Sequence, residues 1–104
     1  MAKDAFKALA HPLRRDIVER LSGGVATVGE VTHDFNVSKP TISRHLKTLE
    51  EAGIVSRVID GRTHRLSLDP APLGEASEWI ERQRAHWEAL FDAVEGYLDE
   101  RKRD

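Results

Sequence analysis

No cysteine occurs anywhere in the 104 residues. Disulfides, thiolate metal ligands and thiol redox chemistry are thereby excluded, and a reducing, cytoplasmic location is the expectation. No run of about 18 apolar residues is present, so no segment reads as a membrane span. The opening MAKDAFKALAHPLRR carries Lys3, Asp4 and Lys7 and lacks the apolar core of a signal peptide. Internal repeats and low-complexity segments are also missing. So are the marks of an enzyme: there is no Ser/His/Asp set, no paired-carboxylate site and no phosphate-cradling glycine loop, Gly23-Gly24 reading better as a helix stop. No catalytic residue and no cofactor is expected.

What is present suits one folded domain. Charged residues make up 33% and hydrophobic ones 39%, too apolar a balance for a disordered chain. A chain of this size buries only somewhat more than about 60% of its unfolded surface, so a partner subunit would help. The net charge of −2 hides an asymmetry. Residues 38–65 hold six basic side chains against three acidic ones, a local +3, whereas residues 73–104 hold five against nine, or −4. A basic centre and an acidic end would do different work.

Periodicity places the elements. Residues 2–10 form a short helix with Ala5, Phe6, Leu9 and Ala10 as its apolar stripe, broken at His11-Pro12. Pro12 starts a second helix, with Leu13, Ile17, Val18 and Leu21 on one face. Thr27 and Glu30 make a capping box for a third, with Val28, Val31 and Phe35 inward. Asn36 and Val37 turn the chain. Ser38 caps a fourth helix, whose stripe is Ile42, Leu46 and Leu49 and whose C-terminal stop is Gly53. Two β runs, SRVI and THRLSL, are joined by Asp60-Gly61, and after the break DPAP one long helix runs from about Leu73 to near Lys102.

The fourth helix has an outer surface rich in donors and poor in acids. Two short helices joined by a tight turn, the second polar and basic outside, form a helix-turn-helix, and the basic hairpin that follows makes it winged. The fold class is therefore mainly α with a small β-hairpin, a winged helix-turn-helix with a long C-terminal dimerisation helix. It is read as a single domain over residues 1–104, with the helix-turn-helix at 27–52, the wing at 55–68 and the last helix at 73–102. Such a helix fits the major groove of B-form DNA, with side chains near its N-terminus reaching base edges. Ser38, Lys39, Thr41, Ser43, Arg44 and His45 would face DNA, and Lys47 would contact phosphate. Arg57, Arg62 and Arg65 of the wing would lie along the backbone or an adjacent minor groove. The alternative is a winged-helix protein-interaction module without specific DNA binding.

The runs HPLRRDIVERL, TVGEVTHDFNVSKPTISRHLKTLEEAGIV and VIDGRTHRLSL resemble the ArsR/SmtB family of bacterial winged helix-turn-helix repressors, in order and spacing, over about residues 5–70. That resemblance implies a homodimeric, operator-binding transcriptional regulator, usually a repressor released by a signal, with Ser38, Lys39, Thr41, Ser43, Arg44 and His45 on the recognition-helix surface and Arg62 at the wing tip. Many relatives carry a Cys-x-Cys pair where this chain has Thr27 and Gly29. Others bind zinc through paired ligands on the last helix, where this chain has His86 alone, with Ala89 three positions on. A metal-independent autorepressor, or a regulator with another cue, is the better expectation, and the effector stays unnamed.

No two of His11, His33, His45, His64 and His86 stand three or four residues apart. A metal site would have to be assembled in space, with Glu30, Asp34 or a second chain, and none is expected. On the last helix, Leu73, Ala76, Ile80, Gln83, Trp87, Leu90, Val94 and Tyr97 recur at alternating spacings of three and four. With both tryptophans beside it, that stripe could seat a flat hydrophobic effector, but a dimer core is preferred, with Phe6, Leu9, Ile80, Trp87, Leu90, Phe91 and Val94 as its interface.

Overall fold

The computed structural model describes residues 2–103, which run α1 (Ala2–Ala8), α2 (Pro12–Ser22), β1 (Ala26–Thr27), α3 (Val28–Phe35), α4 (Lys39–Glu51), β2 (Val55–Asp60), β3 (Thr63–Leu68) and α5 (Ala71–Arg103). Local capping chemistry sets most of these limits. His11 caps α2, its Nδ1 accepting from the Leu13 amide at 3.0 Å, and Pro12 follows where an amide hydrogen is not needed. Thr27 and Glu30 close the capping box of α3: the Glu30 amide donates to the threonine hydroxyl at 3.1 Å and the Thr27 amide to the glutamate at 3.0 Å. The Thr27 amide first, then its side chain, holds the Glu30 carboxyl below the ordinary carboxylate value.

Asn36, at φ 50°, makes the left-handed turn into α4. At the far end of α4, the Ile54 amide donates to the Leu49 carbonyl and the Gly53 amide to the Glu50 carbonyl, both at 3.0 Å. This Schellman closure needs the φ of 74° that Gly53 adopts and that a side chain would penalise.

Three boundaries differ from the sequence expectation. α1 ends at Ala8 rather than residue 10, because the side chains of Arg14 and Arg15 take the carbonyls of Ala8 and Leu9 at 2.6 and 2.8 Å. α5 begins at Ala71 rather than Leu73, since Asp69 accepts from the Ala71 amide at 3.0 Å and Pro72 fits the first turn. In the hairpin, Asp60 pairs with Thr63, so the two-residue loop is Gly61-Arg62 and not Asp60-Gly61. Only its first residue, Gly61 at φ 62°, is left-handed, which is the pattern of a type II′ turn. A third strand, β1, pairs antiparallel with β3 to give the order β1-β3-β2.

The core lies where α2, α3 and α4 meet the sheet. Ile17, Val31, Ile42, Leu46, Leu49, Ile54 and Leu66 are completely buried, each stabilising the fold by about 1.5–3 kcal/mol. Among the described residues no buried side-chain polar atom lacks a partner. α1 packs on the start of α5, Phe6 meeting Trp79 edge-on at 5.4 Å between ring centroids. Beyond that contact α5 leaves the body: apart from Gln83, every residue from Ser77 to Lys102 is exposed. The molecule is 75 Å long and only 24 by 21 Å across. The architecture is a mainly helical winged helix-turn-helix with a small sheet and a long C-terminal helix.

Candidate nucleic-acid interface

The buried stripe of α4 leaves Lys39, Ser43, Arg44 and Lys47 exposed on the rest of its circumference. Their presentation depends on the helix start. Ser38 accepts from the Thr41 amide at 3.3 Å, and its hydroxyl shares a 2.7 Å hydrogen bond with that of Thr41. Two of the expected DNA-facing residues thus fix the N-terminus of the helix as well as bordering its surface.

Strand alternation decides what the wing presents. Val55, Arg57, Ile59, His64, Leu66 and Leu68 share one face by register, with Val55 and Leu66 buried in the core. Arg57 therefore stands on the side turned toward α4, where its Nε and Nη2 donate to the two carboxylate oxygens of Glu50 at 2.6 and 3.3 Å. Arg65 lies on the opposite face, 3.3 Å from Asp60 in a pair whose side chains are 51% and 76% exposed, an arrangement that contributes little to stability. Arg62 is exposed at the tip.

Between the start of α3, the first half of α4 and the wing lies an open groove of about 680 Å³. Lys39, Arg57 and Arg62 line it together with Ser43, Thr63 and His64, and among the described residues no acidic side chain does. The low-acid, donor-rich character of the central sequence is thus gathered into one concavity, suited to a polyanion.

Of the residues expected to face DNA, the structure brings Lys39, Ser43, Arg57 and Arg62 around this groove, with Arg44 and Lys47 exposed on α4 beside it. His45 goes elsewhere. It is half-buried against α2, its ring 4.4 Å from that of His11 and its Nδ1 3.1 Å from an Arg14 Nη. Burial, then the charges of His11, Arg14 and Arg44, lowers its pKa from the ordinary 6.5. An imidazole that flanks the buried stripe thus has partners on α2 and beside it. The Arg57 guanidinium, on the groove wall, is held by the Glu50 carboxylate.

Sequence reasoning missed Thr32 and His33 as groove residues. A signal existed for both, because turning Val28, Val31 and Phe35 inward leaves Gly29, Thr32 and His33 outward on α3. Phe6 and Leu9, expected at the dimer contact, pack in part within their own chain, Phe6 on Trp79 and Leu9 on the core. The remaining expected interface residues are open: Ile80, Trp87, Leu90, Phe91 and Val94 are 46–60% exposed. Among the described residues no group of three or more His, Asp or Glu side chains is placed to hold a metal, and no helix is long and apolar enough to cross a membrane.

Known proteins share this arrangement. Residues 9–58 match a family described as a helix-turn-helix domain. The chain is similar to the transcriptional repressor SdpR of Bacillus subtilis, with 38% identity over 77 residues covering 74% of this chain and 86% of that protein. It is similar to the crystal structure of an ArsR family transcriptional regulator, with 32% identity, a TM-score of 0.78, and coverage of 83% of this chain and 94% of that one. A third likeness, to an ArsR-like transcriptional regulator from Rhodococcus sp. RHA1, extends over 93% of this chain and 89% of that one at 26% identity and a TM-score of 0.85.

Proposed function

Because the chain belongs to the ArsR family of winged helix-turn-helix transcriptional regulators, proteins that bind DNA and are not enzymes, we propose that it works as a homodimeric repressor in the cytoplasm, reading an inverted-repeat operator through α4 and the wing. The observation that carries this reading is the groove between α4 and the wing, with Lys39 and Arg62 on its walls and, among the described residues, no acidic side chain lining it.

A helix about 10–12 Å across enters the major groove of B-form DNA, and the exposed half of α4 carries the side chains suited to it. Lys39 and Arg44 serve guanine edges or phosphates, Ser43 either edge, and Lys47 and Arg62 phosphates. The apolar stripe of α5 supplies the second half of the assembly. Eight large hydrophobic side chains from Trp79 to Leu98 are 45–60% exposed, an apolar surface of the kind that marks an interface. A two-fold axis across that patch sets two recognition helices on one face of the duplex, with half-site centres about 10–10.5 base pairs apart or a multiple of that.

Duplexes enriched by the protein from a randomised pool supply the test. Arg44→Ala weakens an enriched duplex by about 1–3 kcal/mol and relaxes one position of the site, while Arg62→Ala weakens all duplexes alike and lowers the salt slope by about 0.9. If the wild type enriches no sequence, or neither variant changes binding, the DNA reading fails and a protein-interaction module takes its place.

A further inference from the structure

Arg57 lines the groove, yet all three of its terminal nitrogens are already engaged. Nε and Nη2 fork onto the Glu50 carboxylate at 2.6 and 3.3 Å, and Nη1 faces His64 Nδ1 at 3.0 Å. An arginine has no lone pair to offer, so the imidazole accepts and carries its proton on Nε2. The side chains of Arg57 and Glu50 are only 26% and 27% exposed, whereas those of the Arg65–Asp60 and Arg84–Glu81 pairs are more than half exposed. Glu50 belongs to the last turn of α4, Arg57 to β2 and His64 to β3, so one guanidinium joins the recognition helix to both strands of the wing.

We propose that Arg57 is a positioning residue, a clamp that fixes the wing to the recognition helix through Glu50 and His64, and not a phosphate ligand. The inference rests on the DNA-binding reading above. Its second support is the hairpin itself. The inner end is anchored by buried Val55 and Leu66, but Val58 and Ile59 are 61% and 63% exposed, so apolar packing does not hold the outer half. The fork supplies what packing lacks, and two parallel charge-assisted bonds to a carboxylate constrain direction as well as distance. With the wing held, α4 and the wing tip meet DNA in one relative geometry; released, the hairpin would have to be ordered during binding, which costs affinity. Glu50 also cancels the arginine charge where it stands, so the pair releases no counterion of its own.

The clamp and the phosphate ligand predict opposite signs for one substitution. Removing the Glu50 charge frees a phosphate-seeking Arg57 and takes an acid away from the DNA, which tightens binding; removing it from a clamp loosens the wing. The experiment uses the full chain as wild type, Glu50→Gln, Arg57→Gln, the double variant and Arg57→Lys. Each is titrated by fluorescence anisotropy, at several salt concentrations, into a duplex enriched by the wild type from a randomised pool and into a scrambled duplex of the same length.

The clamp predicts that Glu50→Gln and Arg57→Gln each weaken the enriched duplex by about three- to tenfold. The double variant is no weaker than either single one, and the salt slope is unchanged throughout. Arg57→Lys, which keeps the charge but not the fork, is as weak as Arg57→Gln, and stays informative should a glutamine variant fail to fold. Unchanged or tighter binding by Glu50→Gln, a salt slope lowered by about 0.9 in Arg57→Gln, or wild-type affinity in Arg57→Lys overturns the clamp while leaving the DNA reading intact. A wild type that enriches no duplex overturns both.

Discussion

Replacing Trp87 by glutamate should convert the protein to a monomer. Trp87 is 57% exposed, with Phe91 stacked beside it at 5.9 Å between ring centroids. A tryptophan offers up to about 250 Å², so about 140 Å² is open on each chain, and a symmetric interface covers it twice. At about 25 cal/mol per Å², burying about 280 Å² contributes up to about 7 kcal/mol to the dimer. Even half of that is more than two tenfold steps in Kd, before the cost of setting a carboxylate against an apolar face. Sedimentation velocity at micromolar concentration reads the result, with circular dichroism to confirm retained helix. Ala85→Glu is the control, because two residues along a helix place the same charge about 200° away, on the other side of α5. Trp87→Glu should sediment as a monomer and Ala85→Glu as a dimer. A Trp87→Glu protein that sediments like wild type, or equal dissociation by both variants, would refute the assignment of this stripe to a second copy.

Three further outcomes are expected. Thr27→Ala removes the capping box of α3 and should cost about 1 kcal/mol, or about 4–8 °C in Tm for a domain of this size; an unchanged melting curve contradicts the cap. The lowered pKa of His45, caused first by burial and then by His11, Arg14 and Arg44, makes the unfolded chain the better proton acceptor. Above the ordinary value of 6.5 both states are neutral at this residue and its contribution is fully present; as pH falls below 6.5 and through the folded value, stability is lost. Denaturation at about pH 7.5 and about pH 5.5 should show that loss, and His45→Gln should reduce it; a variant as acid-sensitive as wild type points to another group. Micromolar Zn²⁺ titrated into the preformed DNA complex should leave it intact, because a ligand shifts an equilibrium only by its differential affinity for the two states; release would reveal a site shared between subunits.

What could be read in the sequence is what local chemistry decides. Thr27 with Glu30, Ser38 before α4 and Gly53 after it announce helix limits through hydrogen bonds that close within a few residues. The apolar stripe of α5 was equally plain, since its spacing needs no tertiary partner to be recognised. Features set by distant pairing were not legible. The hairpin loop is Gly61-Arg62 because Asp60 pairs with Thr63 across the ladder, and β1 is two residues long, too short for an alternation. His45 is one of several polar residues flanking the stripe of α4 until Arg14, 31 positions earlier, comes to its Nδ1. Arg57 shares the parity of buried Val55 and so belongs to the inward face of β2, but its meeting with Glu50 depends on how the wing packs on α4.

Hydroxyl-radical footprinting of the wild type on an enriched duplex, with the mass of the complex measured by light scattering, tests most directly whether two copies read DNA through α4 and the wing. Two protected segments on one face of the duplex, related by an inverted repeat, centred about 10–10.5 base pairs or a multiple apart and occupied by two chains, are the expected result. A single protected half-site bound by one chain, or protection that follows no sequence, would contradict it.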